Sequence, residues 1–351
     1  MPQVNTDIFD YYTTEMVSEL FSTVHASVNT GNLFLSPFWL VSWLETLDKL
    51  PLLLICVRDK QVIGFGFWGK QTHLLGNTYF LNQTGNHLND QVWTEHNDVI
   101  CLKDERDIVV TAMLERLSAL PNTSKIVVRN TLSSHWPRSI KASSERSVEN
   151  SAYVDLTQGD YLQTLSKNTR SAIKRSNKLI ENTLGEISVS PIDVASHTTI
   201  LNEVGAIHLQ RWGDSEFGSG FANPKFVAFH DKILKQGNGQ ENQAELLMVR
   251  AGDTCLGYLY VLKQGHYALF YLSAIKFSSN DNKIKPGMSM HLAAIEYYKM
   301  KDFERYDFLA GPARYKEQMS NAHYPVYHVE ISTPSIRNRL FRWLKGFKSG
   351  T

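Results

Sequence analysis

The segment Asn280-Asp-Asn-Lys-Ile-Lys-Pro-Gly-Met-Ser-Met-His holds the most chemical information in the chain. A polar loop follows an apolar run, closes on Pro286-Gly287 and gives way at once to a helical pattern. A helix start offers N–H groups without intrahelical partners, together with the positive end of the helix dipole, so it suits an anion. Gly287 would let a phosphate approach the backbone closely. Lys283 and Lys285 add positive charge, Ser289 adds a hydroxyl donor, and Met288 and Met290 complete the first turn. An ordinary helix start punctuated by Pro-Gly has the same letters, so the segment alone leaves both readings open.

Two further groups of residues could carry chemistry. The stretch from His208 to Phe217 gathers His208, Arg211, Trp212, Asp214 and Glu216 where no periodicity is clear. His208 is a candidate base or substrate contact because an ordinary imidazole titrates near neutral pH, although a lone histidine on a helix also serves structure. Lys167, Arg170, Lys174 and Lys178 recur at helical spacing and share one face. That face is either a solvated basic surface or an anion site for a phosphorylated acceptor, in which case Arg170 and Lys174 would touch substrate. The tail from Ile336 to Lys348 is similarly basic and amphipathic, and its expected roles are a final packed helix or a weak contact with an anionic membrane.

Other letter matches fail on context. Gly64-Phe-Gly66-Phe-Trp-Gly69 spells GxGxxG, but alternating aromatics place it within a strand rather than between strand and helix. Gly218-Ser219-Gly220 lacks the spacing of a nucleophile elbow. The three cysteines, Cys56, Cys101 and Cys255, lie far apart, and the histidines are scattered, so no metal site is expected.

These residues need elements to hold them, and the apolar pattern supplies two similar sets. Helical spacing is expected over Ile8–Val24 and Phe38–Leu50. Leu52–Val57 and Val62–Trp68 then read as a hairpin about Arg58-Asp-Lys-Gln, followed by a strand from Thr78, a helix over Ile108–Leu120 and a strand from Lys125. A polar, Ser-rich stretch over 131–151 marks the expected domain boundary. The second half repeats the order. A basic helix and a long mixed region lead to a hairpin of Leu246–Arg250 with Leu256–Leu262 about Ala251-Gly-Asp-Thr. A strand from Tyr267, a helix over Met288–Met300 and a strand from Arg305 complete it. Ile63-Gly64-Phe65 even answers Leu256-Gly257-Tyr258. Two copies of one α/β unit are therefore expected. The helix start of the first copy carries Asp104, Glu105 and Asp107, which would repel an anion.

Composition agrees with an ordinary globular protein. The 351 residues predict about two domains. Lys+Arg of 36 against Asp+Glu of 35 leaves a net charge of +1, which argues against a dedicated nucleic-acid binder. No signal-peptide pattern is visible, and the longest apolar run falls far short of the roughly 20 residues that cross a bilayer, so a cytoplasmic protein is expected.

Three stretches resemble a known family. Leu165-Ser-Lys-Asn-Thr-Arg-Ser-Ala-Ile-Lys-Arg, the helix start Lys285-Pro-Gly-Met-Ser-Met-His-Leu-Ala-Ala, and Tyr306-Asp-Phe-Leu-Ala-Gly-Pro-Ala-Arg-Tyr-Lys resemble the CelD-like (BioF-type) branch of the GNAT acetyltransferases. Residues 155–320 carry the match. The first half resembles the family more loosely, through Leu35-Ser-Pro-Phe-Trp-Leu and its hairpin, in a tandem arrangement related to Fem-type transferases. The usual GNAT pyrophosphate loop reads Gln/Arg-x-x-Gly-x-Gly/Ala. Here Ile284 and Ser289 depart from it, as the Pro-Gly form of this branch does.

The resemblance implies an α/β (α+β) fold of two tandem GNAT-like domains, each a mixed, mostly antiparallel sheet flanked by helices. Residues 1–145 would form a non-catalytic first domain and 146–351 the acyltransferase domain. It implies acetyl-CoA or another acyl-CoA as co-substrate, with backbone contacts from Leu272, Ser273 and Ala274 and the pyrophosphate at Gly287. It implies Tyr315 as general acid, with Lys316 stabilising charge and Asp307 helping catalysis or orienting the loop. The expected reaction is N-acyl transfer, most simply N-acetyl transfer. The expected acceptor is a small amine or an amino sugar, nucleotide- or lipid-linked, in surface polysaccharide biosynthesis. The alternatives are a Fem-type transferase using aminoacyl-tRNA and a catalytically silent GNAT-fold scaffold.

Overall fold

The computed structural model describes residues 4–25, 32–137, 143–213, 218–236, 243–311 and 313–333. Asp214, Glu216, Pro312 and the basic tail from Ile336 lie outside the described residues. The chain divides into two compact units, Met1–Glu149 with Pro325–Thr351, and Asn150–Tyr324.

Unit 1 opens with β1 (Asn5–Phe9) and α1 (Thr14–His25), followed by α2 (Pro37–Leu44). A single helix over Ile8–Val24 was the expectation. Instead Ile8 pairs across from Leu54 as part of a strand, and the helix begins only at Thr14. The second helix is shorter than the expected Phe38–Leu50. Ser36 caps it by accepting from the Trp39 N–H, Pro37 occupies its first turn, and it ends at Leu44. The hairpin of β2 (Leu52–Arg58) and β3 (Gln61–His73) turns at Asp59 and Lys60, both with positive φ, which suits a two-residue turn between twisted strands. β4 (Gly76–Leu81), the short α3 (His87–Asp90), β5 (Ile100–Cys101), α4 (Arg106–Ser118) and β6 (Thr123–Thr131) follow.

β7 (Ser143–Asp155) carries the chain into unit 2. It occupies much of the Ser-rich stretch expected as a boundary. Residues 145–150 of it are all exposed, so no apolar alternation marks the strand. Next come α5 (Tyr161–Thr164), α6 (Lys167–Leu184), β8 (Ile187–Pro191), α7 (His197–Trp212) and α8 (Pro224–Lys235). The repeated hairpin is β9 (Ala244–Ala251) with β10 (Thr254–Gln264). β11 (Tyr267–Ile275), α9 (Pro286–Met300), β12 (Arg305–Asp307) and α10 (Arg314–Met319) follow. The last strand, β13 (Ala322–Ser332), pairs antiparallel with β6 from Tyr327 to Ser332. The chain from Pro325 therefore belongs with unit 1, not with the second domain expected from 146 to 351.

The strands of the two units follow one plan. In unit 1 the order is β1-β2-β3-β4-β6-β13, and in unit 2 it is β7-β12-β11-β10-β9-β8. Neighbours are antiparallel except for β4 with β6 and β11 with β12. Each parallel pair is bridged by a helix, α4 in one unit and α9 in the other, because parallel strands need a crossover. The fold is thus α/β, and in each unit a mixed, mostly antiparallel set of strands is flanked by helices, as the repeat implied. In unit 2, Thr169, Ile173, Ser176 and Ile180 form the buried stripe of α6, and the core it joins includes Val249, Leu259, Phe270, Met290, Ile295 and Tyr306.

Candidate functional site

The site begins with a strand pair that parts. β11 and β12 are in register over only Tyr267–Arg305, Ala268–Tyr306 and Leu269–Asp307. β12 ends there, while β11 continues to Ile275. The other edge of β11 explains the divergence. Phe270 lies opposite Val261 and Leu272 opposite Tyr260, so Tyr271 is an extra residue in a β-bulge. A bulge bends its strand and leaves backbone groups outside the regular ladder. Leu272, Ser273 and Ala274, the expected backbone contacts, all fall in the stretch of β11 beyond the last pair with β12. Gly257, opposite Ile275, keeps β10 close at this point. Its φ is +153°, and a Cβ there would stand 2.2 Å from the Ala274 carbonyl oxygen.

The loop after β11 leads to α9, whose cap residue is Lys285. The Lys285 side chain makes no capping bond, and the first turn carries no acidic residue. Lys283 and Lys285 are exposed, as an anion site needs. Two expectations change here. Ser289 is fully buried, and its hydroxyl lies 2.9 Å from the Ser176 hydroxyl of α6, so it fastens two helices rather than facing a ligand. Met290 is likewise fully buried in the core. The Ser289 N–H bonds back to the Lys285 carbonyl, and Pro286 has no N–H. The first-turn donors that remain are therefore those of Gly287 and Met288. Ser176 also accepts the Lys285 N–H at 2.8 Å, which fixes the end of the loop. A Cβ on Gly287 would lie 2.9 Å from the Ile275 Cδ1.

At the far side of the opening stands α10. The Tyr315 ring stacks on His291 with centroids 5.2 Å apart, and meets Phe308 edge-on at 6.0 Å. Burial pushes its phenol up to about 12, with Arg211 opposing, so Tyr315 keeps its proton at neutral pH. His291 is neutral, driven down to about 3 by burial and by Lys316, and its Nδ1 lies 3.0 Å from the Tyr306 hydroxyl. Lys316 donates to the Ala310 carbonyl at 2.7 Å and to that of Leu309 at 3.3 Å. Asp307 is fully buried. Its Oδ1 accepts the Leu309 N–H at 2.8 Å and the Tyr324 hydroxyl at 3.1 Å, while Arg305 lies 3.6 Å from Oδ2. Burial raises Asp307 to about 6 against those contacts. Leu309 has a φ of +57°, so Asp307 and Lys316 together hold a strained turn at the end of β12. Asp307 thus orients the loop.

The C-terminal end of α7 comes near this cluster. Arg211 acts electrostatically on both Tyr315 and His208, and its guanidinium lies 5.1 Å from the Trp212 ring centroid. His208 Nδ1 is 2.8 Å from the Ser219 hydroxyl, and burial, aided by Arg211, lowers the ring to about 4. It is neutral at pH 7 but a weak base. Arg170 instead serves structure. Its guanidinium bonds Gln163 Oε1 at 3.0 Å and reaches the Leu162 and Gln163 carbonyls at 3.4 Å, tying α6 to α5. Lys174 is exposed on α6. Sequence reading missed the roles of Ser176, His291 and Tyr271, because a bulge and an interhelical bond leave no periodic signal.

The matching place in unit 1 is filled. Beyond the last β4–β6 pair, Phe80 with Val127, residues 94–98 cross between the strands. The Asn97 N–H bonds the Asn130 carbonyl at 2.7 Å, and its side chain donates to the Leu81 carbonyl at 2.8 Å. Asn82 donates to the Asp98 carbonyl at 2.8 Å, and Asn130 to the Thr94 carbonyl at 2.9 Å. The start of α4 is occupied too, by ion pairs of Glu105 with Arg58 and of Arg106 with Asp98. Among the described residues no group of three or more His, Cys, Asp or Glu could hold a metal, and no helix is long and apolar enough to cross a membrane.

Residues 167–317 match the family model described as an acetyltransferase (GNAT) domain. A second model, for sporulation and spore germination, matches 77–195, a range that runs across both units and coincides with neither. No curated protein matches the chain significantly. Among solved structures, a conserved protein of unknown function from Bacteroides thetaiotaomicron VPI-5482 aligns with a TM-score of 0.58 at 12% identity. The alignment covers 94% of this chain and 100% of that one. FemX aligns at 0.54 and 10% identity, covering 96% and 99%, and L-PGS from Bacillus licheniformis at 0.54 and 9%, covering 93% and 94%. These likenesses speak for the fold. Residues 167–317 thus match the GNAT acetyltransferase domain, and the chain as a whole shares its fold with FemX.

Proposed function

We propose that unit 2 binds acyl-CoA and transfers its acyl group, acetyl in the simplest case, to an amine. One observation carries this reading. The opening between β11 and β12 leads to a helix start that keeps two N–H donors and two exposed lysines, whereas its counterpart in unit 1 is filled and acidic. The backbone of Leu272–Ala274 would pair with the amide-bearing arm of the co-substrate, and Gly287 and Met288 would receive its pyrophosphate. Unit 1 is read as non-catalytic.

The chemistry needs a proton removed from the attacking amine and one supplied to the leaving thiolate. Tyr315, protonated at neutral pH, supplies the second. A backbone N–H at the bulge steadies the negative oxygen as the C–N bond forms and the C–S bond breaks. Asp307 and Lys316 hold the turn that carries Tyr315 to its place. His208, with its low basicity, is a contact of the acceptor beside Arg211 and Trp212 rather than the base. The acceptor is a small amine or an amino sugar, nucleotide- or lipid-linked, of the kind used in surface polysaccharide biosynthesis, and the reaction belongs in the cytoplasm, where acyl-CoA is available.

A second reading is favoured by the nearly full-length alignment with FemX, namely transfer from aminoacyl-tRNA. Calorimetric titration of acetyl-CoA, with Gly287→Glu alongside, separates the two. Binding lost in the variant supports the CoA site. Absence of binding in both proteins transfers the reading to aminoacyl-tRNA, tested next by tRNA-dependent transfer. Binding without turnover of any amine favours a silent scaffold.

A further inference from the structure

The closed end of the opening between β11 and β12 holds a polar group that the scheme above leaves without a chemical task. Leu269 and Asp307 are the last paired residues, so Phe270 and Phe308 are the first on either strand beyond the pairing. His291 of α9 meets both edge-on, with ring centroids 4.6 Å from Phe270 and 5.3 Å from Phe308. Tyr315 lies flat against the same imidazole, 17° from parallel. His291 and the proposed general acid are thus gathered where the strands begin to part.

His291 is 3% exposed, yet only one of its ring nitrogens is engaged. Nδ1 meets the hydroxyl of Tyr306 on β12. Tyr306 is fully buried, and burial keeps its phenol protonated. Among the described residues Nδ1 is the one hydrogen-bond partner of that hydroxyl, and a buried donor left unpaired is costly. The phenol therefore donates and Nδ1 accepts. A neutral imidazole that accepts at Nδ1 carries its proton on Nε2. Burial and the nearby Lys316 keep His291 neutral. Nε2 makes no hydrogen bond with a described residue, and it is not one of the buried polar atoms closed off from solvent. The two nitrogens of an imidazole point well apart, so this N–H is directed away from Tyr306.

We infer that His291 is a second catalytic donor of the transfer site, whose Nε2–H bonds the sulfur of the acyl-CoA thioester as that sulfur becomes a thiolate. The amine nitrogen forms its bond to the acyl carbon, the C–S bond breaks, and its electron pair passes to sulfur. Tyr315 gives the sulfur a proton. The new amide nitrogen releases its own proton to water, and Tyr315 recovers one from there. His291 keeps its proton throughout. A fixed N–H in a largely buried place steadies the charge on sulfur before proton transfer is complete. Tyr306 is a positioning residue that sets the tautomer. The contact with sulfur rests on the acyl-CoA reading of unit 2, whereas the tautomer of His291 does not.

Two measurements on the full chain test this. In 15N-edited NMR of histidine-labelled protein, with the resonance assigned through His291→Gln, the ring should be neutral and protonated at Nε2 at pH 7. Tyr306→Phe should admit the Nδ1–H form, and an unchanged tautomer would remove Tyr306 as the positioning residue. CoA should move the Nε2 resonance more than desulfo-CoA, which lacks the sulfur. A wild-type ring protonated at Nδ1, or equal shifts with both ligands, overturns the assignment. The second measurement is calorimetry with the same two ligands at about pH 9.5, where a free thiol is appreciably ionised. Wild type should prefer CoA, and His291→Leu should lower that preference about tenfold, as a lost hydrogen bond to a charged group implies. Affinity for desulfo-CoA should stay within about twofold. His291→Gln, which keeps an N–H donor, should retain part of the preference, and this variant decides if His291→Leu does not fold. An unchanged preference in the variants overturns the role of His291. Failure of wild type to bind either ligand refutes the acyl-CoA reading instead, and the NMR result then decides the tautomer alone.

Discussion

Tyr315 keeps its proton because stacking on His291 and contact with Phe308 remove the phenolate from water. A general acid has to hold its proton until the thiolate leaves, so this burial suits the role. Tyr315→Phe should lower turnover by about 10²-fold or more with little change in acetyl-CoA affinity, read from kcat against calorimetric Kd. An unchanged rate, with chemistry limiting, would remove Tyr315 as the acid. Asp307 makes a second prediction, on stability. Its folded pKa, about 6, exceeds the ordinary 3.8 because burial disfavours the charge. Below about pH 4 both folded and unfolded chains hold this proton. Between about pH 4 and pH 6 only the folded chain does, so stability falls as pH rises through that window. The loss should be about 3 kcal/mol. Urea unfolding at several pH values should show this step in wild type but not in Asp307→Asn.

At the scale of elements, α9 can act as an anion site only if its first turn is held in place. That task falls to Ser176 on α6, which accepts the Lys285 N–H and meets the Ser289 hydroxyl. Ser176→Ala would leave two polar groups without this partner in a buried contact. The expected cost is about 1–3 kcal/mol in unfolding free energy. Because the loop end is released as well, acetyl-CoA should bind several-fold more weakly. A variant destabilised to this extent but with unchanged acetyl-CoA affinity would show that the fastening serves α6 alone. The bulge at Tyr271 works with the same helix. It turns β11 away from β12 so that the strand points toward the start of α9.

At the scale of the molecule, the two units repeat one topology but differ in the space between their parallel strands. Asn97, Asn82 and Asn130 satisfy the backbone edges in unit 1, whereas β11 in unit 2 runs on past its last pair with β12. Calorimetry should therefore give a stoichiometry of one acetyl-CoA per chain, and Gly287→Glu should abolish it. A stoichiometry of two would assign a working site to unit 1. The filled cleft also has a physical logic. A parallel pair that diverges without a ligand exposes backbone groups to partial burial, and a unit relieved of binding is more stable with those groups paired.

The sequence by itself determined the repeat, the hairpins, the strand–helix–strand core of each copy and the bare helix start at Gly287. These features are local: apolar periodicity, Pro-Gly punctuation and the signs of nearby charges. It misplaced β1 as helix, because Ile8 fits either period over so short a run. It read 131–151 as a domain boundary, and the units do divide at Glu149, but it missed the strand β7 there because residues 145–150 face solvent and do not alternate. Tertiary structure alone decided the rest. Ser289 turned inward because Ser176, 113 residues away in the chain, stands opposite it. β13 joined unit 1 because β6 offered it a partner edge. Tyr271 met His230 because the bulge rotated it toward α8. Each outcome depends on a partner distant in sequence, and a residue's own neighbours carry no record of such a partner.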